Sequence, residues 1–197
     1  MKATELLLLG LVGWTAIGVI GVGVSLWRGE RGRVRRGVAW LAGVWVAYLC
    51  VVIGVSLGQR QRVVAMGEPQ CFDEMCFAVI RVEEVPGFLI RDGRRLLRVS
   101  VQVTNKGRKA QREGLIRAYL MDAQGRRWEE SAGVNGVELT ARVAGGASVM
   151  SEPVFKVAAD ASGLGLVLTH GRWQPGVLVI GDSDSLWHRK TMVALGR

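Results

Sequence analysis

The chain has 197 residues, 22% of them charged, with a formal net charge of +9 and a mean hydropathy of +0.24. Its length allows one ordinary domain with an appendage, or two very small domains. The positive charge does not signal nucleic acid. Eight basic and two acidic residues fall within 1–66, whereas the rest carries 18 basic against 15 acidic ones, with no concentrated basic run interleaved with aromatics.

In chain order, the first feature is the pair of charge-free runs Leu6–Trp27 and Gly37–Gly58. Each would span roughly 33 Å as an α-helix, enough to cross a hydrocarbon core of about 30 Å. Two transmembrane helices are therefore expected, at about 6–27 and 37–58, joined by a loop over 28–36. A soluble core helix seldom runs so far without a polar face. A signal peptide is the rival for the first run. Against it, Lys2 is the only basic residue ahead of the run, the run exceeds the usual apolar length, and no A-x-A-like site follows. Glycines such as Gly10, Gly18 and Gly21 are tolerated in a bilayer. Ala39, Gly43 and Ala47, together with Gly54 and Gly58, offer small surfaces for close helix approach, read as the hairpin packing on itself rather than as dimerisation. Cys50 reads as a small apolar packing residue.

The connection holds Arg28, Arg31, Arg33, Arg35 and Arg36 against the single Glu30. A short loop so rich in arginine is expected to stay cytoplasmic. The two-pass anchor, residues 1–66, then places residues 67–197 on the extracytoplasmic side, with Arg60 and Arg62 as the smaller opposing charge. Cys71 and Cys76, with four residues between them, can close a small disulfide loop in an oxidising compartment, a constraint of about 2 kcal/mol. Free or redox-active thiols are the next reading. A metal site lacks further ligands nearby, and the spacing is not that of a thioredoxin-like centre.

Beyond Cys76 the hydrophobic period becomes alternating. Phe77–Glu83 and Leu96–Val103 read as strands, the second with its valines inward and Arg98, Ser100 and Gln102 outward. Thr104-Asn105-Lys106-Gly107 marks a turn. Leu115–Met121 is a further strand, closed by Asp122-Ala123-Gln124-Gly125. Val137–Leu139, Val154–Val157, Leu164–Leu168, Val177–Ile180 and Thr191–Leu195 complete the expected set. Short strands separated by Gly, Asn and Asp turns point to an all-β, immunoglobulin-like sandwich of Greek-key type behind the helical hairpin.

Residues 68–195 resemble the bacterial telokin-like, immunoglobulin-like extracytoplasmic domains. The resemblance rests on Val99-Ser100-Val101-Gln102-Val103-Thr104-Asn105-Lys106-Gly107, on Tyr119-Leu120-Met121-Asp122-Ala123-Gln124-Gly125, and on the glycine turn before Pro153-Val154-Phe155-Lys156-Val157. It implies a sandwich fold attached to a membrane or lipid. Function in that family is largely unassigned, and no catalytic residue carries over. The paired cysteines and the double helix are not general features of the family.

Chemistry-bearing motifs are sparse. His170 and His188 are the two histidines, and each reads as structural or surface. There is no G-x-S-x-G, P-loop or H-E-x-x-H pattern. Asp182 and Asp184 could offer oxygen ligands to calcium, although the EF-hand pattern is absent and a solvated turn is the plainer reading. Asp73 and Glu74 read as a charged loop tip, and Trp128 and Trp173 as core or interface residues. No cofactor is expected. The expected role is a non-catalytic envelope protein, integral to the membrane, that binds or stabilises a protein partner. A sensory module acting through a partner is the second reading, and a thiol–disulfide enzyme the third.

Overall fold

The computed structural model describes residues 3–85, 93–131, 137–170, 175–181 and 185–196. The chain divides into two compact units, Met1–Arg60 with Arg172–Arg189, and Gln61–Gly171 with Lys190–Arg197.

The first unit is built on two helices, α1 (Ala3–Trp27) and α2 (Arg31–Gly58). Both are long and apolar enough to cross a membrane, and they are not core helices: in the most apolar stretch of α1 none of the residues is buried, and in that of α2 only 11%. The turn between them is shorter than the sequence suggested. Ser25 carbonyl accepts from Glu30 N–H and Leu26 carbonyl from Gly29 N–H, with Gly29 at φ +75°, the Schellman ending that a glycine at this position allows. Only Arg28–Glu30 lie outside the helices. Arg31, Arg33, Arg35 and Arg36 occupy the first turns of α2, because arginine is a good helix former and loss of hydrophobicity does not by itself end a helix. Arg33 pairs with Glu30 at 2.7 Å.

The helices meet through Gly18 and Gly37, not through the small stripe of α2. A Cβ on Gly18 would lie 2.7 Å from the Leu41 side chain, and one on Gly37 2.8 Å from Val22. Trp45 Nε1 donates to Thr15 Oγ1 at 3.0 Å. Ala39, Gly43, Ala47, Gly54 and Gly58 are exposed, and Gly43, Gly54 and Gly58 have open space around them. Small residues allow close approach, but the face turned to the partner follows the larger neighbours Leu41 and Trp45.

At the far end of α2, Tyr48, Val52 and Ser56 are buried at four-residue intervals. Tyr48 Oη donates to the Leu178 carbonyl at 2.6 Å, and Ser56 Oγ lies 3.0 Å from Ser185 Oγ. The expected strand over Val177–Ile180 is instead a 3-10 helix, Pro175–Leu178. Proline followed by glycine sets a turn, and a four-residue apolar run cannot by itself separate strand from helix.

The second unit is a two-sheet, β-sandwich-like domain. Its strands are β1 (Val63–Val64), β2 (Gln70–Phe72), β3 (Met75–Glu84), β4 (Arg94–Asn105), β5 (Arg117–Met121), β6 (Arg127–Glu129), β7 (Ser148–Ser151), β8 (Val154–Ala158), β9 (Gly165–Thr169) and β10 (Met192–Ala194). One sheet runs β1-β10-β9-β5-β6. The other runs β2-β3-β4, with β7 on the second half of β4 and β8 on the first. Pro153, which has no N–H to donate, separates β7 from β8. Its carbonyl still accepts from Val99 N–H.

The alternation on β4 holds for the core face: Val99, Val101 and Val103 are fully buried, packed with Phe77, Val79, Phe155, Leu120 and Leu166. Ser100 on the other face is buried as well. β1 begins inside the segment assigned to the anchor. A two-residue strand, adding parallel to β10, leaves no periodic signal to read. Val137 makes a single bridge to Ser151 instead of a strand.

Candidate functional site

The cysteine hairpin is built by β2 and β3, which place Cys71 directly opposite Cys76. The two are joined, with Cα atoms 3.9 Å apart, somewhat closer than the usual range for a disulfide. Asp73 and Glu74 form the two-residue tip. Asp73 sits at φ +51°, as the mirror-image turns of tight hairpins require. Cys71 is exposed and Cys76 buried, so the bond ties the start of the domain to its core. Phe72 packs edge-on against His170 at 4.4 Å, and His170 Nε2 lies 3.4 Å from Glu113 Oε1. That histidine is structural.

Beside the hairpin tip, Asn105 organises two loops. It is completely buried. Its Nδ2 donates to the carbonyls of Lys109 and Val143 at 2.8 and 2.9 Å, and its Oδ1 accepts from Gly107 N–H at 2.8 Å. All its amide capacity but one lone pair is thus used, as a buried amide demands. Gly145 completes the junction, since a Cβ there would collide with the Arg108 carbonyl. Glu74 accepts from Gln111 Nε2 and its own carbonyl from Lys106 N–H.

The consequence is an open cleft of about 620 Å³ lined by Gln111, Arg112, Glu138, Thr140 and Arg142, along the bridge between Gln111 and Val143. Its Arg112 and Arg142 are exposed, and so are Lys106, Arg108 and Lys109 in the chain just before it. Thr140 Oγ1 donates to Glu138, and Arg142 leans on the Ala110 carbonyl. Burial, assisted by the Glu138 charge, pushes the Glu130 carboxyl above its ordinary value. The cleft is polar and predominantly cationic, suited to holding a carboxylate-bearing surface rather than to activating a nucleophile. The reading of this stretch as a bare turn signal missed it. Asn105 ahead of Lys106-Gly107 and the run of basic residues to Arg112 were the available signs.

No protein-family model matches the chain, and no curated protein does. Among solved structures it is similar to a β-sandwich protein from Clostridium difficile 630, at 10% identity and a TM-score of 0.45 over 70% of this chain and 96% of that one. It is similar also to the secreted protein MPT63 of Mycobacterium tuberculosis, at 10% identity and a TM-score of 0.44 over 58% and 93% of the two chains. A third is the yjhA protein of Bacillus subtilis, at 19% identity and a TM-score of 0.43 over 68% and 99%.

The remaining sequence candidates are dispersed. Asp182, Asp184 and Trp173 lie outside the described residues. Among the described residues no group of three or more His, Cys, Asp or Glu side chains could hold a metal ion. Trp128 is partly buried against the core, with the Arg126 guanidinium 5.4 Å above its ring. Arg126 also joins Asp122 at 2.7 Å and Asp160 at 2.9 Å. Burial alone would raise the Asp122 carboxyl, but donation from the Arg126 side chain and from the backbone of Arg126 and Gln124 holds it below its ordinary value.

Proposed function

We propose that the chain is a two-pass integral membrane protein whose immunoglobulin-like, telokin-like sandwich stands on the extracytoplasmic side and docks an acidic protein partner, without catalysis. The observation that carries the membrane part is the exposure of two long apolar helices whose side chains find no core of their own. The arginines at the start of α2 put that end in the cytoplasm under the positive-inside rule, and the Cys71–Cys76 bond fits an oxidising compartment for the sandwich. The docking part rests on the cationic cleft beside the hairpin, where Arg112 and Arg142 flank polar, ordered backbone.

The test is made in intact cells with Cys50 replaced by Ala. A cysteine at Arg33 should resist a membrane-impermeant thiol reagent, and one at Gly125 should react. The reverse pattern would invert the topology. For docking, in-membrane crosslinking should capture a partner on the native chain and lose it on Arg112→Glu with Arg142→Glu. Undiminished capture by that double variant would remove the cleft from the interface.

A further inference from the structure

The 22 residues between β9 and β10 do more than connect two strands. Arg172–Arg189 belong to the helical unit, and their described part lies along one face of α2. Tyr48 is 12 residues beyond Arg36 and Ser56 is 20 beyond it. At 1.5 Å per residue these sites stand about 18 and 30 Å along the helix from the last arginine. If Arg36 marks one headgroup level, the stripe from Tyr48 to Ser56 occupies the far half of a hydrocarbon core about 30 Å thick. We propose that residues 176–180, in the described part of the β9–β10 connection, enter the distal leaflet beside α2, as a third membrane-embedded element whose outer face contacts lipid. This rests on the membrane reading above.

Four observations support lipid as the occupant. Among the described residues, backbone groups of the segment bond to one another and to α2: Leu186 N–H donates to the Val177 carbonyl, Val179 N–H to the Gly176 carbonyl, and Tyr48 Oη to the Leu178 carbonyl. Irregular backbone at membrane depth is tolerated only when it is satisfied in this way. The Ser56 and Ser185 hydroxyls are enclosed and hydrogen-bonded to each other. The apolar side chains of Val177, Leu178 and Ile180 remain only half-buried, and α2 itself leaves Val46, Val51 and Leu57 exposed. Trp187 is 65% exposed, and Arg189 and Lys190 follow it, the order of aromatic and basic groups that marks a membrane–water interface.

The test uses the full chain with Cys50→Ala, reconstituted into phosphatidylcholine vesicles. An environment-sensitive fluorophore is attached to a single cysteine at Val177, at Val46 or at Gly125. Lipids with a mid-chain nitroxide should quench most of the emission from positions 177 and 46, while aqueous iodide should quench only position 125. Iodide quenching at 177 without nitroxide quenching would overturn the inference and leave the membrane reading intact, provided position 46 is quenched by nitroxide. Shielding of 177 from both quenchers would also overturn it, assigning a protein neighbour instead of lipid. Failure of nitroxide to reach position 46 would defeat the membrane reading itself, and this inference with it. Should Val177→Cys not fold, Ile180→Cys reports on the same face.

Discussion

Asp122 and Asn105 show how single side chains hold the sandwich's turns. Asp122 closes the turn before Arg126 by accepting from two backbone N–H groups and from the guanidinium. Its folded carboxyl titrates below the ordinary value, so it contributes stability that is fully present above the unfolded value of about 3.9 and is lost as pH falls through the lowered folded one. Asp122→Asn should therefore melt at a lower temperature at neutral pH. It should also show a shallower loss of melting temperature below pH 4 than the native chain. Parallel acid limbs would show that the carboxylate contributes nothing through its charge. Asn105→Ala removes three hydrogen bonds at once, taking their partner from the Lys109 carbonyl and the Gly107 N–H, while the Val143 carbonyl keeps its bond from Gln111 N–H. A loss on the order of 3 kcal/mol is expected in denaturant unfolding, with the Lys106–Gln111 loop becoming more accessible to protease. A loss within measurement error would mean that water replaces the amide.

At the scale of elements, the two glycine sets of the helical hairpin make opposite predictions. Gly18→Ile drives a branched side chain into Leu41 and should destabilise the purified protein by roughly 1–3 kcal/mol through overpacking. Gly43→Ile has open space around it and should leave the hairpin unaffected in thermal unfolding in detergent. If Gly43→Ile were the more damaging, the exposed small stripe would be a contact with a second copy or with a partner. The β2–β3 hairpin gives a gentler expectation. Its bond closes a loop of six residues whose strands already pair, so Cys71→Ser with Cys76→Ser should cost about 2 kcal/mol. Its strand spectrum by circular dichroism should be unchanged. Collapse of the spectrum would show that the bond is required for the fold and not merely a support.

At the scale of the whole molecule, the division into units says which fragment can stand alone. A fragment from Gln61 to Arg197 keeps β1 on β10 and should be strand-rich by circular dichroism. Freed from α2, its Val177–Ile180 segment should bind detergent or vesicles. The same fragment begun at Gly67 lacks β1 and should unfold at a lower temperature. A mainly helical spectrum from either would sink the two-sheet assignment.

What the amino-acid order settled alone was whatever depends on long, uniform or strictly periodic runs. Two charge-free stretches of 22 residues make helices in any context, and Val99, Val101 and Val103 alternate strongly enough to set one face of β4. The arginine count at one end of the hairpin and the five-residue offset of Cys71 and Cys76 are local as well, and the disulfide follows once two strands set those residues opposite each other. Everything that depended on contacts between residues distant in sequence was left to the tertiary structure. The two-residue β1 exists only because β10 lies beside it. Pro175–Leu178 turns instead of extending because its partner is a helix face, where Tyr48 meets its carbonyl across 130 positions. Gly18 and Gly37 became the helix contact, and Gly43 did not, because helix rotation is set by the larger side chains that must find room. The cationic cleft needed Asn105 to draw together loops separated by 38 residues, and no short window of sequence contains both sides of such a site.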